Sequence, residues 1–475
     1  MSVKKNFLYN VSYQVLTLIL PFVTAPYLSR VLGSVGLGTY SYTYSVAYYF
    51  VLFAMLGVNN YGNRTIAMVR DDPEVLRRTF WEIWSLQGCL TVLVTIAYCV
   101  YSLVCLDGSI NALIWLPYVI SAALDINWLF FGLERFKITV TRNFIIKLAT
   151  FALTFVVVRG DGAVFNYLAL MSLSLTASVA VLWPFVLKEF NFFRPTFEGV
   201  RRHIKPNIVL FVPVVAISLY TIFDKVMLTW ISGEAETGVF ENGLKVAQMP
   251  FSFITALGTV MLPHASNLIS VGRREQAVQY MAPSMWFATL LSFAFSFGLI
   301  AISAEFVPIF FGEGFDECKL VLPLIVAEMP FMAWANVIRT QWLMPTKKDR
   351  AYVASVIGGA IVNLGINLLL IPSFGAAGAA VGTLLAEVAV CILQTMAVRS
   401  ELPLASWIYE AVPGFVIGFV MLIVVRLVVQ VLPGGIPGLM LEVMIGGAVF
   451  AALSLAWFLG TKNEYLLLLL KKKHI

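Results

Sequence analysis

The stretch Leu32-Gly33-Ser34-Val35-Gly36-Leu37-Gly38-Thr39-Tyr40 joins two apolar runs, residues 7–30 and 36–59, each long enough to cross a bilayer. The first run carries Pro21 and Pro26, which membrane helices tolerate because neighbouring groups re-satisfy the freed backbone. A second stretch, Ile231-Ser232-Gly233-Glu234-Ala235-Glu236-Thr237-Gly238-Val239-Phe240, repeats the pattern of a glycine-rich corner followed by an aromatic. An even number of helices separates the copies, so they are parallel repeats about an axis along the membrane normal, a transporter layout. A shared hairpin constraint would also produce so short a match.

Working outward with a window near 19 residues gives spans at 7–30, 36–59, 82–106, 110–131, 139–158, 163–187, 207–231, 236–262, 283–311, 319–343, 350–371, 374–398, 405–432 and 438–460. The fold expected is therefore an all-α polytopic membrane protein of about 14 transmembrane helices. Composition agrees: the chain of 475 residues is 60% hydrophobic and 12% charged, against about 45–50% and 25% in soluble domains. The runs are continuous instead of alternating, which argues against a β-barrel. No cleavable signal peptide is expected at the N-terminus. The longest cytoplasmic connection, 188–206, separates an N-terminal lobe of six helices, 1–187, from a C-terminal lobe of six, 207–398. Two further helices, 399–460, and a tail, 461–475, follow. The leucine run and lysines of the tail are expected to lie on the inner interface.

Positive charge sets orientation. With the N-terminus inside, 24 of the 32 lysines and arginines fall in cytoplasmic segments, three outside and five within spans. Both termini are thus expected in the cytoplasm, and the net charge of +6 reads as topogenic and lipid-facing, with no nucleic-acid groove. The five cysteines read as small apolar residues, and nothing brings Cys105 to Cys318.

Enzymatic readings lack parts. The three histidines, His203, His264 and His474, form no metal or base–nucleophile set, and no Walker-type loop is present. No metal and no bound cofactor is expected. What stands out are ionisable residues inside spans, each costing roughly 2.5–3.5 kcal/mol at mid-helix and each a functional candidate for that reason. Lys225 follows Asp224 in the seventh span; Lys245 sits one turn below Glu241 in the eighth; Arg339 shares a face with Glu328 in the tenth. Lys225 and Lys245 are expected to face one cationic cavity, with mutual neutralisation of each lysine by its acid as the structural alternative. Lys147 lines or snorkels, Arg30 closes the first span, and Arg426 reads as a snorkelling or headgroup residue. Asp125 caps or pairs. Glu387, with no partner at i±4, is a candidate for protonation and proton coupling.

Particular stretches resemble the polysaccharide-transport branch of the multidrug/oligosaccharidyl-lipid/polysaccharide exporter superfamily, the Wzx-type flippases of bacterial inner membranes. They are Pro26 to Gly33 with Gly38-Thr39-Tyr40-Ser41; Trp128-Leu129-Phe130-Phe131-Gly132-Leu133-Glu134-Arg135-Phe136-Lys137; Asp224-Lys225-Val226-Met227-Leu228; Gly238 to Lys245; and Asn363 to Asn367 with Ile371 to Ala380. Phe240 stands where the family more usually has tyrosine. The resemblance implies two MATE-like six-helix lobes and alternating access, moving an undecaprenyl-diphosphate-linked oligosaccharide to the outer leaflet. It implies diphosphate contacts from Lys225, Lys245, Arg339, Arg30 and Lys147, and sugar contacts from Tyr40, Tyr42, Tyr44, Tyr48, Tyr49 and Asn336, although such a stripe is as often packing. Asp224, Glu387, Glu241, Asp125 and Glu328 become candidates for coupling to a proton or sodium gradient. Membrane lipids, a polysaccharide polymerase and a chain-length protein are the expected partners of a monomer. A cation antiporter of the same superfamily, or a membrane polymerase or ligase, is the alternative.

Overall fold

In a bilayer every backbone polar group needs an internal partner, so long apolar runs fold as helices. The computed structural model is all α-helical, with no strand among the described residues. Described are residues 3–106 and 108–461, excluding the side chains of 3–19, 136, 220, 259 and 260. The interfacial tail expected from residue 462 onward lies outside them.

Twelve helical segments are long and apolar enough to cross a membrane. Two of them, Leu20–Val69 and Asp349–Val398, are 50 residues long, about 75 Å at 1.5 Å per residue, more than twice the ~30 Å hydrocarbon core. Each is broken, at Gly33 (φ 67°) and at Gly375 (φ 50°). Counted as two crossings each, they give the fourteen helices expected.

Packing divides the chain into residues 1–238 and 239–475. In the first unit the two glycine-rich corners meet. A methyl group on Gly38 would lie 1.7 Å from the Glu234 carbonyl oxygen, and one on Gly238 would lie 1.9 Å from that of Ser34. Thr39 Oγ1 donates to Glu234 Oε2 at 2.7 Å across the same contact. Each corner also begins on a left-handed glycine, Gly33 (φ 67°) and Gly233 (φ 94°). The repeated motif therefore has two physical requirements five residues apart: a backbone conformation only glycine adopts easily, and a close approach that leaves no room for Cβ.

The fourth span is not continuous. A 3-10 turn, Ser121–Leu124, ends at Asp125, and a new helix runs Asn127–Gly132. Four consecutive carbonyls at the break each meet a side-chain donor, and that of Ala122 also keeps the Asp125 N–H at 3.3 Å. Gln87 Nε2 serves those of Ala122 and Asp125. Trp84 Nε1 serves Ala123 at 2.9 Å, Trp183 Nε1 serves Leu124 at 3.0 Å, and Trp128 Nε1 reaches Asp125 at 3.1 Å. Asp125 Oδ1 accepts the Asn127 backbone N–H at 3.0 Å, a turn that leads into the new helix. An unmet carbonyl in hydrocarbon costs several kcal/mol, so these indoles and the amide are what permit the break. They also pack: Trp128, Phe80, Trp81 and Phe190 are buried in one core cluster.

The core of the second unit gathers Met281, Met285, Trp334, Trp342 and Trp407. Its tenth span, read as one helix over 319–343, is built from Cys318–Val326, Met329–Ile338 and a π turn, Arg339–Leu343. π turns inside helices concentrate at functional sites.

Candidate functional site

In the first unit the second span presents an aromatic ladder. The ring of Tyr44 lies 5.9 Å from Tyr40, 5.4 Å from Trp115, 6.0 Å from Tyr118 and 6.2 Å from Tyr48. Tyr40 and Tyr42 are buried, while Tyr44, Tyr48 and Tyr49 keep part of their surface open. Tyr42 is tied into packing, its hydroxyl accepting from Trp230 Nε1 at 2.9 Å. Trp115 and Tyr118, which the sequence reading passed over, belong to the ladder; their i, i+3 spacing was the available signal.

The ladder leads to the charged pair of the seventh span. Tyr49 donates its hydroxyl to the Ser218 carbonyl at 2.8 Å and meets Phe223 edge-on at 6.0 Å. Asp224 is close enough to act on Tyr49 electrostatically. The helix Ile204–Thr221 stops at Ile222 and restarts as Phe223–Ser232. Asp224 thus occupies a first turn, where a carboxylate meets the positive end of the helix dipole. Asp224 is buried, and Lys225 is partly open. The structure therefore brings together tyrosines and charges that the sequence had placed five spans apart.

Two other candidates of this unit are exposed, and a third, Asp125, acts electrostatically on Tyr118 of the ladder. Arg30 is exposed and donates to the Pro26 carbonyl at 2.8 Å. Lys147 is exposed, with Phe144, Ile145 and Leu148 as exposed neighbours on its helix. Asp125 accepts from both the backbone and the side chain of Asn127 at the break.

In the second unit Lys245 Nζ stands 3.5 Å from Glu241 Oε1, one turn apart, with 20% and 10% of the two side chains exposed. Asn242, beside them, is fully buried, and neither atom of its amide has a partner among the described residues. Arg339 opens the π turn, with its guanidinium carbon 6.0 Å from the centre of the Tyr352 ring, a cation–π distance. Its charge also acts through space on Glu387, the acid that lacks an i±4 partner. Glu328 is buried at the junction before Met329–Ile338. Asn336 is buried too; its amide oxygen has no partner among the described residues and would lie 2.2 Å from a methyl group on Gly258.

Two charged clusters were not foreseen. Glu82, wholly buried, accepts from Arg78 Nε at 2.9 Å and Arg202 at 2.5 Å, with His203 Nε2 at 3.2 Å. His203 Nδ1 in turn lies 2.7 Å from the Tyr61 hydroxyl. Gly199 lets the connection sit on Glu82, because its Cβ would fall 2.2 Å from Glu82 Oε1. The segment 197–203 is thereby fastened to the helix Val58–Val69 and to the third span. The second cluster holds Arg426, whose Nη1 donates to both oxygens of Glu305 at 3.0 and 2.9 Å. Partners 120 or more residues apart leave no local signal. The five cysteines are free thiols, Cys105 exposed and Cys318 buried.

The chain covers 96% of its length against all of a solved lipid II flippase, MurJ in an inward closed conformation, with a TM-score of 0.80 at 13% identity. An inward-facing multidrug resistance MATE family transporter of the MOP superfamily aligns over 81% of this chain and 97% of its own, with a TM-score of 0.55 at 14% identity. At such identities both describe the fold alone, and both agree with the MATE-like helical architecture expected. A putative O-antigen transporter of Escherichia coli (strain K12) is 26% identical over 409 residues, 84% of this chain and 98% of its own length. The profile of the family described as polysaccharide biosynthesis protein matches residues 3–269, more than half of the sequence. The chain belongs to the polysaccharide biosynthesis protein family, as the resemblance carried by its opening corner and by residues 128–137 implied.

Proposed function

We propose that this protein flips an undecaprenyl-diphosphate-linked oligosaccharide from the cytoplasmic to the outer leaflet of a bacterial inner membrane, by alternating access and with both termini in the cytoplasm. Membership of a polysaccharide biosynthesis family and likeness to a putative O-antigen transporter support the reading. Lys245 is the observation that carries it. An ammonium group lies within a helix of 37 residues, 3.5 Å from its acid and partly open. An ammonium group already drawn into the membrane beside its acid, with part of its surface open, can donate to a phosphate oxygen. Each unit supplies cations of this kind, Lys225 in the first and Lys245 with Arg339 in the second. The half-open tyrosines 44, 48 and 49 offer stacking faces to sugar rings. Glu387, electrostatically coupled to Arg339, is the carboxylate through which a proton or sodium gradient would bias the cycle.

The test uses purified protein in liposomes carrying a lipid-linked oligosaccharide on one leaflet. Unchanged chains becoming accessible on the opposite leaflet is the expected result. Longer chains would mean a polymerase or ligase, and no transfer beyond that of protein-free liposomes would end the flippase reading.

A further inference from the structure

The connection 190–203 between the sixth and seventh spans is a strap held at a fixed height. Trp81 stands where the apolar run of the third span begins. Its indole donates to the Asn191 carbonyl at 3.0 Å, and its ring meets Phe192 edge-on at 5.0 Å. At the far end of the strap Arg202 and His203 hold Glu82, the neighbour of Trp81. Between these fastenings Thr196 accepts the Gly199 N–H at 3.1 Å and leads into a short helix, Phe197–Arg201. The Trp84 ring lies 5.2 Å from that of Trp81 and 5.5 Å from that of Trp183. Tryptophans gather where headgroups meet hydrocarbon, so the strap is fastened at headgroup level.

Its free surface carries two kinds of side chain. Phe197 is 82% exposed and Phe192 67%, and rings at such a boundary gain by entering it. Lys188, Arg194, Arg201 and Lys205 are exposed and form no ion pair among the described residues. The acids of the segment are Glu189, held by Arg135 at 2.6 Å, and the exposed Glu198, so four cations face one open carboxylate. The chain leaves the sixth span past exposed Phe185 and Leu187 and enters the seventh past exposed Ile208 and Val209, so apolar helix surface borders the strap at both ends. Orientation during insertion needs positive charge only somewhere in the loop; here the folded chain holds it in place. Rings alternating with arginines at headgroup level suit phosphates above acyl chains better than a protein partner, which calls for a contiguous apolar patch. We propose that this strap docks on anionic phospholipid, Arg194 and Arg201 on phosphate groups and Phe192 and Phe197 at the top of the acyl chains. The leaflet is the inner one in the orientation proposed above.

The full chain is placed in nanodiscs of phosphatidylcholine, alone or with about one-third phosphatidylglycerol, and hydrogen exchange of residues 190–203 is followed by mass spectrometry. Nanodiscs present the same lipids on both faces, so the outcome does not depend on orientation or on transport. Wild type is expected to exchange about fivefold more slowly with phosphatidylglycerol, the factor for one engaged surface cation, and the difference should vanish in about 0.5 M salt. Arg194→Gln/Arg201→Gln spares the hold of Arg202 and His203 on Glu82 and is expected to abolish the difference. Phe197→Ser removes a largely exposed ring, sparing the same hold, and is expected to speed exchange about fivefold in the discs with phosphatidylglycerol. Equal exchange of wild type in the two compositions would overturn the proposal, as would a full difference in the double variant or unchanged exchange in Phe197→Ser. Protection present in native membranes but absent from both kinds of disc would assign the surface to a protein and overturn it too.

Discussion

Glu82 in the first unit and Glu241 in the second are both carboxylates in apolar helices beside a cation, yet their surroundings differ. Glu82 is fully buried, meets two guanidinium groups at 2.5 and 2.9 Å and an imidazole at 3.2 Å, and has Gly199 pressed onto it. Glu241 meets Lys245 at 3.5 Å, with both side chains partly open. The first arrangement meets both oxygens of its acid and fastens one segment of chain to two others. The second keeps an ammonium group at a distance from which it can turn to another anion. Intramembrane charge alone does not mark a binding residue; whether the cation of the pair keeps part of its surface open beside its acid does.

Exchange of Lys245 for alanine separates the two most sharply. Lys245→Ala is expected to abolish export of the surface polysaccharide in cells while the amount of inserted protein stays within about twofold of wild type. A matching loss of protein would move Lys245 into the structural class with Glu82. Glu82→Ala is expected to do the reverse, lowering stability by about 2–3 kcal/mol. That lies below the usual 3–5 for a broken buried pair because Arg78 and Arg202 are half exposed and can rehydrate. Thermal unfolding in detergent measures it, and a shift no larger than that of a surface substitution would remove the distinction. Between these, Gly199→Leu drives a side chain into Glu82 and is expected to destabilise by about 1–3 kcal/mol, as overpacking does, and to expose the 197–203 segment to protease.

The smallest effect comes from a pair of the same kind in water. Glu401, in the connection before the thirteenth span, accepts from Lys348 Nζ at 2.5 Å and from Trp342 Nε1 at 2.7 Å. The hydrogen bond from Lys348, and next that from Trp342, hold its carboxyl below the ordinary carboxylate range. A depressed carboxyl stabilises the fold above its unfolded value, and that contribution is lost as pH falls through the folded one. Wild type should therefore exceed Glu401→Gln in melting temperature at pH 7 by the equivalent of less than about 1 kcal/mol, because the pair is partly exposed, and the two should converge below pH 4. A gap that persists at low pH would mean that shape, not charge, is what Glu401 supplies.

Much of the fold was legible in the chain because hydropathy over about 20 residues states the crossings directly, and the glycine corners at 33–38 and 233–238 state where it turns. The break at Asp125 was not. Residues 121–127 contain neither glycine nor proline, and the donors that permit the break, Trp84, Gln87 and Trp183, come from other spans. Residues 128–137, which carry the most specific family resemblance, include Trp128, so part of that signature is repair of the broken helix. The candidate site divides the same way. The Glu241–Lys245 pair was visible at i, i+4, whereas the link from Arg339 to Glu387 and the grip of Arg426 on Glu305 depend on helices far apart in sequence. Sequence shows that a charge is present; only packing shows how completely it is met.

The most direct test of the account compares wild type with the double variant Lys225→Ala/Lys245→Ala in liposomes loaded with a lipid-linked oligosaccharide, following its exposure on the far leaflet. The account predicts that the double variant, with unchanged helical circular dichroism, falls to the rate of protein-free liposomes. Transfer by the double variant at the wild-type rate would contradict it.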